Sequence, residues 1–109
     1  MFSVPPRIPT PPVDQAVRLG ENVTFYCLAQ GVPQPNVTWS KSLGESIHKD
    51  RRYSVPSRGT LHIRDVKVKD AGKFVCVADN DFGRVEVSTM LMLIGLSKDK
   101  NYYCHLIQC

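Results

Sequence analysis

A chain of 109 residues with a formal net charge of +4 carries enough residues to bury one core, and a single domain is the expectation. Hydrophobic residues at 42% and charged residues at 22% argue against a disordered chain, and the 8 prolines, crowded toward the first 35 positions, argue against a helical bundle. The positive balance is mild and lacks the dense basic stripe of a nucleic-acid reader, and no apolar run approaches the roughly 20 residues of a membrane helix.

Met1 is followed by neither a basic n-region nor an apolar h-region, which reads as a piece of a longer protein. Pro5, Pro6, Pro9, Pro11 and Pro12 prevent a helix in residues 1–20 and predict an extended run along a sheet edge, where a missing N–H is tolerated. Residues 13–18 read as a short edge strand. In ENVTFYCLA, Val23, Phe25, Cys27 and Ala29 alternate with Asn22, Thr24, Tyr26 and Leu28, the period of a strand with one buried face. GVPQP, residues 31–35, is a turn by composition, and NVTWSK opens a third strand near Asn36 with Val37 and Trp39 on one side.

Residues 42–50 are polar and contain glycine, and residues 52–55 are a short strand closed by Pro56. TLHIRDV alternates again, Leu61 and Ile63 inward, His62 and Arg64 outward. KVKDAG turns the chain into KFVCVAD, whose inward set is Phe74, Cys76 and Ala78. Residues 80–83 make a hairpin turn, and RVEVSTMLML returns with Val87, Thr89, Leu91 and Leu93 toward the core. Seven or more short strands without a helical stretch predict an all-β sandwich or barrel, with Trp39, Phe25, Leu61, Ile63, Phe74 and Leu91 in its core. Residues 1–4 lead in, residues 5–95 form the domain, and residues 96–109 are a tail expected to be disordered.

The four cysteines, Cys27, Cys76, Cys104 and Cys109, permit three pairings. Cys27 and Cys76 each fall on the inward face of a strand, and Trp39 lies on a third inward face between them in sequence. A disulfide joining the two sheets of a sandwich, with an indole packed against it, needs that arrangement. Closing a loop of about 50 residues restricts the unfolded chain by on the order of 4 kcal/mol. Such a bond is expected only outside the reducing cytosol.

These residues resemble a known family. Gly31-x-Pro33-x-Pro35-x-x-x-Trp39, Leu61-x-Ile63 followed by Asp65-Val66, and Asp70-Ala71-Gly72-x-Phe74-x-Cys76-x-Ala78-x-Asn80-x-x-Gly83 are similar to the intermediate (I-set) type of the immunoglobulin superfamily, over roughly residues 5 to 94. The resemblance implies an immunoglobulin-like two-sheet Greek-key sandwich with one inter-sheet disulfide, and an ion pair between Arg52 and Asp70 across its base. The chain departs from the pattern at Phe74, where the family usually has a tyrosine whose hydroxyl bonds back to the backbone. Phenylalanine keeps the packing and removes a hydrogen bond of roughly 1 kcal/mol. Within the superfamily, AVRLGENVTFYC, SIHKDRRYSVPSRGTLHI and KDAGKFVCVADNDFG are most similar to an ectodomain module of the fibroblast growth factor receptor and receptor-like family. Neuronal adhesion molecules, muscle-specific kinase and peroxidasin carry similar modules.

Two N-x-S/T triplets, Asn22-Val23-Thr24 and Asn36-Val37-Thr38, place an inward valine between outward residues, so Asn22 and Asn36 can carry glycans in a secretory cell. Lys49, Arg51, Arg58, His62 and Arg64 thicken the basic character of one region and suit sulfate or phosphate groups. Heparan sulfate is the sharp candidate, helped by the resemblance. A solvated charged surface is the alternative, because Glu45, Asp50 and Asp65 are interleaved. Val75, Val77, Met90 and Met92 fall on the outward side of adjacent strands, either as a patch for a protein partner or as ground covered by a neighbouring domain or by the residues after Gly95.

His48, His62 and His105 are scattered, and no Ser/His/Asp set or phosphate-cradling glycine loop occurs, so neither catalysis nor a cofactor is expected. A zinc site from Cys104, His105 and Cys109 lacks a fourth ligand, and the two tail cysteines could bridge each other, pair within a following extracellular module, or stay free. The expectation is a non-catalytic extracellular recognition module of a cell-surface receptor or adhesion protein. It would bind protein, a neighbouring immunoglobulin domain or heparan sulfate, with no nucleic acid, and would meet a membrane only through its parent protein. The rival is a structural I-set spacer of an intracellular muscle filament.

Overall fold

The structure, a computed structural model, describes residues 2–96 and 103–106. The proline-rich start runs extended along a sheet edge as expected, and it is a paired strand: β1 (Val4–Thr10) is antiparallel to β4 (Leu28–Val32). Its paired positions are Val4, Arg7 and Thr10, with a register shift in each interval. Pro5, Pro6 and Pro9 fall in those intervals, where no ladder N–H is required, so an edge strand accommodates them. Pro11 and Pro12 then carry the chain to the opposite layer, where β2 (Gln15–Arg18) lies parallel to β9 (Gly83–Leu96). The expected strand over residues 13–18 is thus shortened to its second part, and Val13 stays exposed.

β3 (Val23–Tyr26), β7 (Thr60–Ile63) and β6 (Tyr53–Ser54) form one antiparallel sheet, and β1 with β4 forms another. β4 follows β3 directly after Cys27, whose N–H leaves the ladder and donates to the Gly59 carbonyl at 2.7 Å. The facing layer is β5 (Asn36–Lys41), β8 (Gly72–Asn80) and β9, joined by β2 on the β9 edge. The composition-based turn at residues 31–35 starts late: Gly31 and Val32 still belong to β4, and the Val32–Pro33 peptide bond is cis.

Alternation along these strands delivers one buried face to each layer. Val23, Phe25 and Cys27 from one side meet Trp39, Phe74, Cys76, Leu91 and Leu93 from the other, with Leu61 and Ile63 fully enclosed. Each such large side chain contributes roughly 1.5–3 kcal/mol on burial. Phe25 lies 6.1 Å from Trp39 and 6.0 Å from Phe74, ring centre to ring centre. The Cys27–Cys76 disulfide crosses the gap between the layers, and Trp39 is the cross-strand neighbour of Cys76. The core also takes Ile47, from the stretch read as polar.

Gly59 is the backbone hub beneath this bond. Its φ is +79°, and a Cβ there would sit 2.2 Å from the Cys27 carbonyl oxygen. Its own carbonyl accepts the Trp39 Nε1–H at 3.2 Å as well as the Cys27 N–H. Only glycine supplies both the left-handed backbone and the clearance.

After Gly95 the expectation of a disordered tail meets a difference. Tyr103–Leu106 form β10, antiparallel to the last residues of β9, with Cys104 opposite Gly95. The rest of the tail, and with it the pairing of Cys104 and Cys109 and the zinc alternative, lies outside the described residues.

Candidate recognition surfaces

At the base of the sandwich the Arg52 guanidinium grips Asp70 with two bonds, of 2.5 and 2.8 Å. Arg52 leads into β6 and Asp70 closes the short 3-10 turn before β8. The same carboxylate accepts the Tyr53 hydroxyl at 2.6 Å and the Lys67 N–H at 2.7 Å, while Arg52 also reaches Asp50 at 2.8 Å and the Asp65 carbonyl at 2.9 Å. Burial pushes the Asp70 carboxyl up, but Arg52, Tyr53 and the Lys67 N–H outweigh it and hold it below the usual carboxylate range. Arg52 likewise holds half-buried Asp50 down at about 2. Burial, then the adjacent Asp70 carboxylate, raises the Tyr53 phenol above its ordinary range. Among the described residues no buried side-chain nitrogen or oxygen is left without a partner, and this network reads as structural.

Tyr53 was not singled out from sequence, and its hydroxyl bonds the Asp70 carboxylate, a different bond from the backbone one that Phe74 lacks. The two rings lie 6.1 Å apart, so Phe74 fills the corner while Tyr53 bonds the carboxylate beneath it. Its position directly after Arg52 in an alternating stretch was the available signal.

Both sequon asparagines are exposed. Asn22 precedes β3 and accepts the Asp65 N–H at 3.0 Å; Asn36 opens β5 on the outward face.

The five anion candidates are not brought together. Arg58 and Arg64 flank β7 at opposite ends, on the order of 15 Å of extended chain apart. Arg58 donates to the Pro35 carbonyl at 3.2 Å, and His62 is bonded to the Thr24 hydroxyl at 2.8 Å. Arg64 does reach the Arg51 carbonyl, at 3.3 Å. Lys49 and Arg51 instead line an open pocket of about 640 Å³ with Lys41, Lys69, Glu45 and Asp50. Two carboxylates among four cations make a mixed surface, the solvated alternative of the sequence reading.

The four apolar candidates share one sheet face but form no directly opposed pair. Register places Val75 opposite Ser88 and Val77 opposite Glu86, while Met90 faces Lys73 and Met92 faces Ala16. Each valine thus has a polar residue directly opposite it, while Val75 and Met90 are diagonal neighbours across β8 and β9. Val75 and Val77 floor a shallow depression of about 380 Å³ rimmed by Ser40, Lys73, Arg84 and Glu86. Met90 sits where its N–H donates to Asp14 Oδ1 at 2.9 Å.

Among the described residues, no group of three or more His, Cys, Asp or Glu is placed to hold a metal ion, and no helix is long and apolar enough to cross a membrane. Two stacked sheets, a bridging disulfide with an indole beside it, and an arginine–aspartate lock at the base define an immunoglobulin-type sandwich. The chain belongs to the immunoglobulin I-set family, whose sequence profile matches residues 6–93. It is similar to peroxidasin homolog of Mus musculus, 38% identical over 95 residues that cover 83% of this chain and 6% of that protein. Among solved structures, extracellular domains 3–5 of Drosophila OTK superpose with a TM-score of 0.77 at 33% identity, covering 84% of this chain and 32% of that one. The titin Ig tandem A164–A165 superposes with a TM-score of 0.76 at 31% identity, covering 85% and 49%. The relatives are immunoglobulin domains of diverse proteins, and they do not single out a growth-factor-receptor parent. The chain spans about 6% of the peroxidasin homolog and a third to a half of the two structures, and I-set domains are typically non-catalytic.

Proposed function

We propose that this I-set domain is a non-catalytic recognition module of an extracellular or cell-surface protein, binding a protein partner or a neighbouring immunoglobulin module. The observation that carries it is the fully enclosed Cys27–Cys76 bridge, a linkage that persists in oxidising compartments. Two exposed sequon asparagines and the likeness to OTK extracellular domains support the same compartment. The narrower reading, a module of the growth factor receptor type, rests on the sequence motifs alone. Heparan sulfate binding rests on scattered arginines, and a heparin column tests it: elution near physiological salt, unchanged in Arg58→Ala/Arg64→Ala, removes it.

The likeness to titin domains favours a second reading, an intracellular filament spacer. The mass of native protein from its own source, taken after thiol alkylation with and without reduction, separates the two. A protected Cys27–Cys76 pair supports the surface module, and alkylated thiols at both positions support the spacer.

A further inference from the structure

The outer face of β5–β8–β9 carries both a sequon and an apolar-floored depression, and the register brings them together. Asn36 pairs with Asp79, Thr38 with Val77 and Ser40 with Val75, so all six side chains leave the sheet on one side. Val77 is the diagonal neighbour of Asn36, about 7 Å away across the strands. Asn36 and Thr38 are exposed, whereas Val75 and Val77 are half-buried at the floor of the depression. Arg84 and Glu86, paired at 3.5 Å, stand with Lys73 and Ser40 at its rim.

We infer that Asn36 is N-glycosylated and that its glycan is the occupant of this depression, which closes the β5–β8–β9 face to protein partners. A pyranose presents an apolar face and a belt of hydroxyls, the complement of a valine floor inside a polar rim. Asn36 lies outside the lining but one diagonal from Val77, so a glycan that starts there extends along β5 over the depression toward Ser40 and Lys41. The Asn22 glycan site differs: Asn22 lies before β3, on the other layer, next to Asp65. With one sheet face covered in this way, partner recognition passes to the other sheet and the ends of the sandwich.

The inference rests on the extracellular reading, and one experiment keeps the two apart. The chain, its Thr38→Ala form and its Thr24→Ala form are secreted from animal cells behind an added leader, and their intact masses are taken before and after glycosidase, with mapping of the Cys27–Cys76 link. Hydroxyl-radical footprinting then compares glycosylated and deglycosylated protein at Val75 and Val77, with Val13 as the exposed control. The expected result is glycan mass lost in Thr38→Ala and a several-fold rise in labelling of Val75 and Val77, but not Val13, on deglycosylation. Secreted, disulfide-linked protein without glycan at Asn36, or with glycan but unchanged labelling, overturns this inference and leaves the surface reading standing. A glycosylated dimer dissolved by Val77→Lys gives the face to a second copy and also overturns it. Protein retained in the cell with free Cys27 and Cys76 thiols overturns the extracellular reading and this inference with it.

Discussion

Gly59 shows how much a single residue carries. Its carbonyl serves the Trp39 indole and the Cys27 N–H at once, and its missing side chain leaves room for the Cys27 carbonyl. Gly59→Ala is expected to cost about 3 kcal/mol or more, since left-handed strain and a hard backbone clash act together. Gly44 provides the comparison: its φ is +75° with nothing within 4 Å of an added Cβ, so Gly44→Ala should cost only about 1–2 kcal/mol of backbone strain. Urea unfolding of the two variants measures the difference. Asp70 carries a second prediction. Its folded pKa lies below the unfolded value near 3.9, so the stability from its partners is complete above about pH 4 and is lost as pH falls through the lower folded value. Asp50, held down by Arg52, adds to the same acid limb. Asp70→Asn should destabilise the protein at pH 7 by about 3 kcal/mol and flatten that limb, read from unfolding free energies measured between pH 7 and pH 2.

Among the elements, those with a clean period of two were legible before any coordinates. Val23, Phe25 and Cys27, then Leu61 and Ile63, then Phe74, Cys76 and Ala78 all point inward as their alternation predicts. β1 was legible as an extended run along a sheet edge but not in its partner or register, because the bulges that accommodate its prolines arise only on pairing with β4. Ile47 was missed because one apolar residue in a polar loop has no period, and its burial follows from where the loop folds back over the core. The recognition candidates were legible as residue types but not as groups. Arg58 and Arg64 are six residues apart and sit at opposite ends of β7, and Val77 meets Glu86, not a methionine. The crossing from β1 to β2 also depends on a tertiary contact. Asp14 Oδ1 accepts the Thr89 hydroxyl at 3.1 Å and the Met90 N–H at 2.9 Å, tying the start of β2 to β9. Asp14→Ala leaves the buried Thr89 hydroxyl without that acceptor and should cost about 1–2 kcal/mol, with faster amide exchange confined to residues 15–18.

For the whole molecule, the family pattern spans residues 6–93, and β9 keeps both β8 and β2 as neighbours without β10. A chain ending at Leu96 is therefore expected to fold with the same disulfide and a melting temperature within a few degrees of the full chain, by calorimetry. Phe25, Trp39 and Phe74 pack beside a covalent link between two sheets. The link closes a loop with a sequence separation of 49, which restricts the unfolded chain by about 4 kcal/mol. Urea unfolding with and without reductant, in a Cys104→Ser/Cys109→Ser background, puts that physical claim to trial. Reduction should lower the unfolding free energy by about 4 kcal/mol, and an unchanged midpoint would contradict a native tie between Cys27 and Cys76.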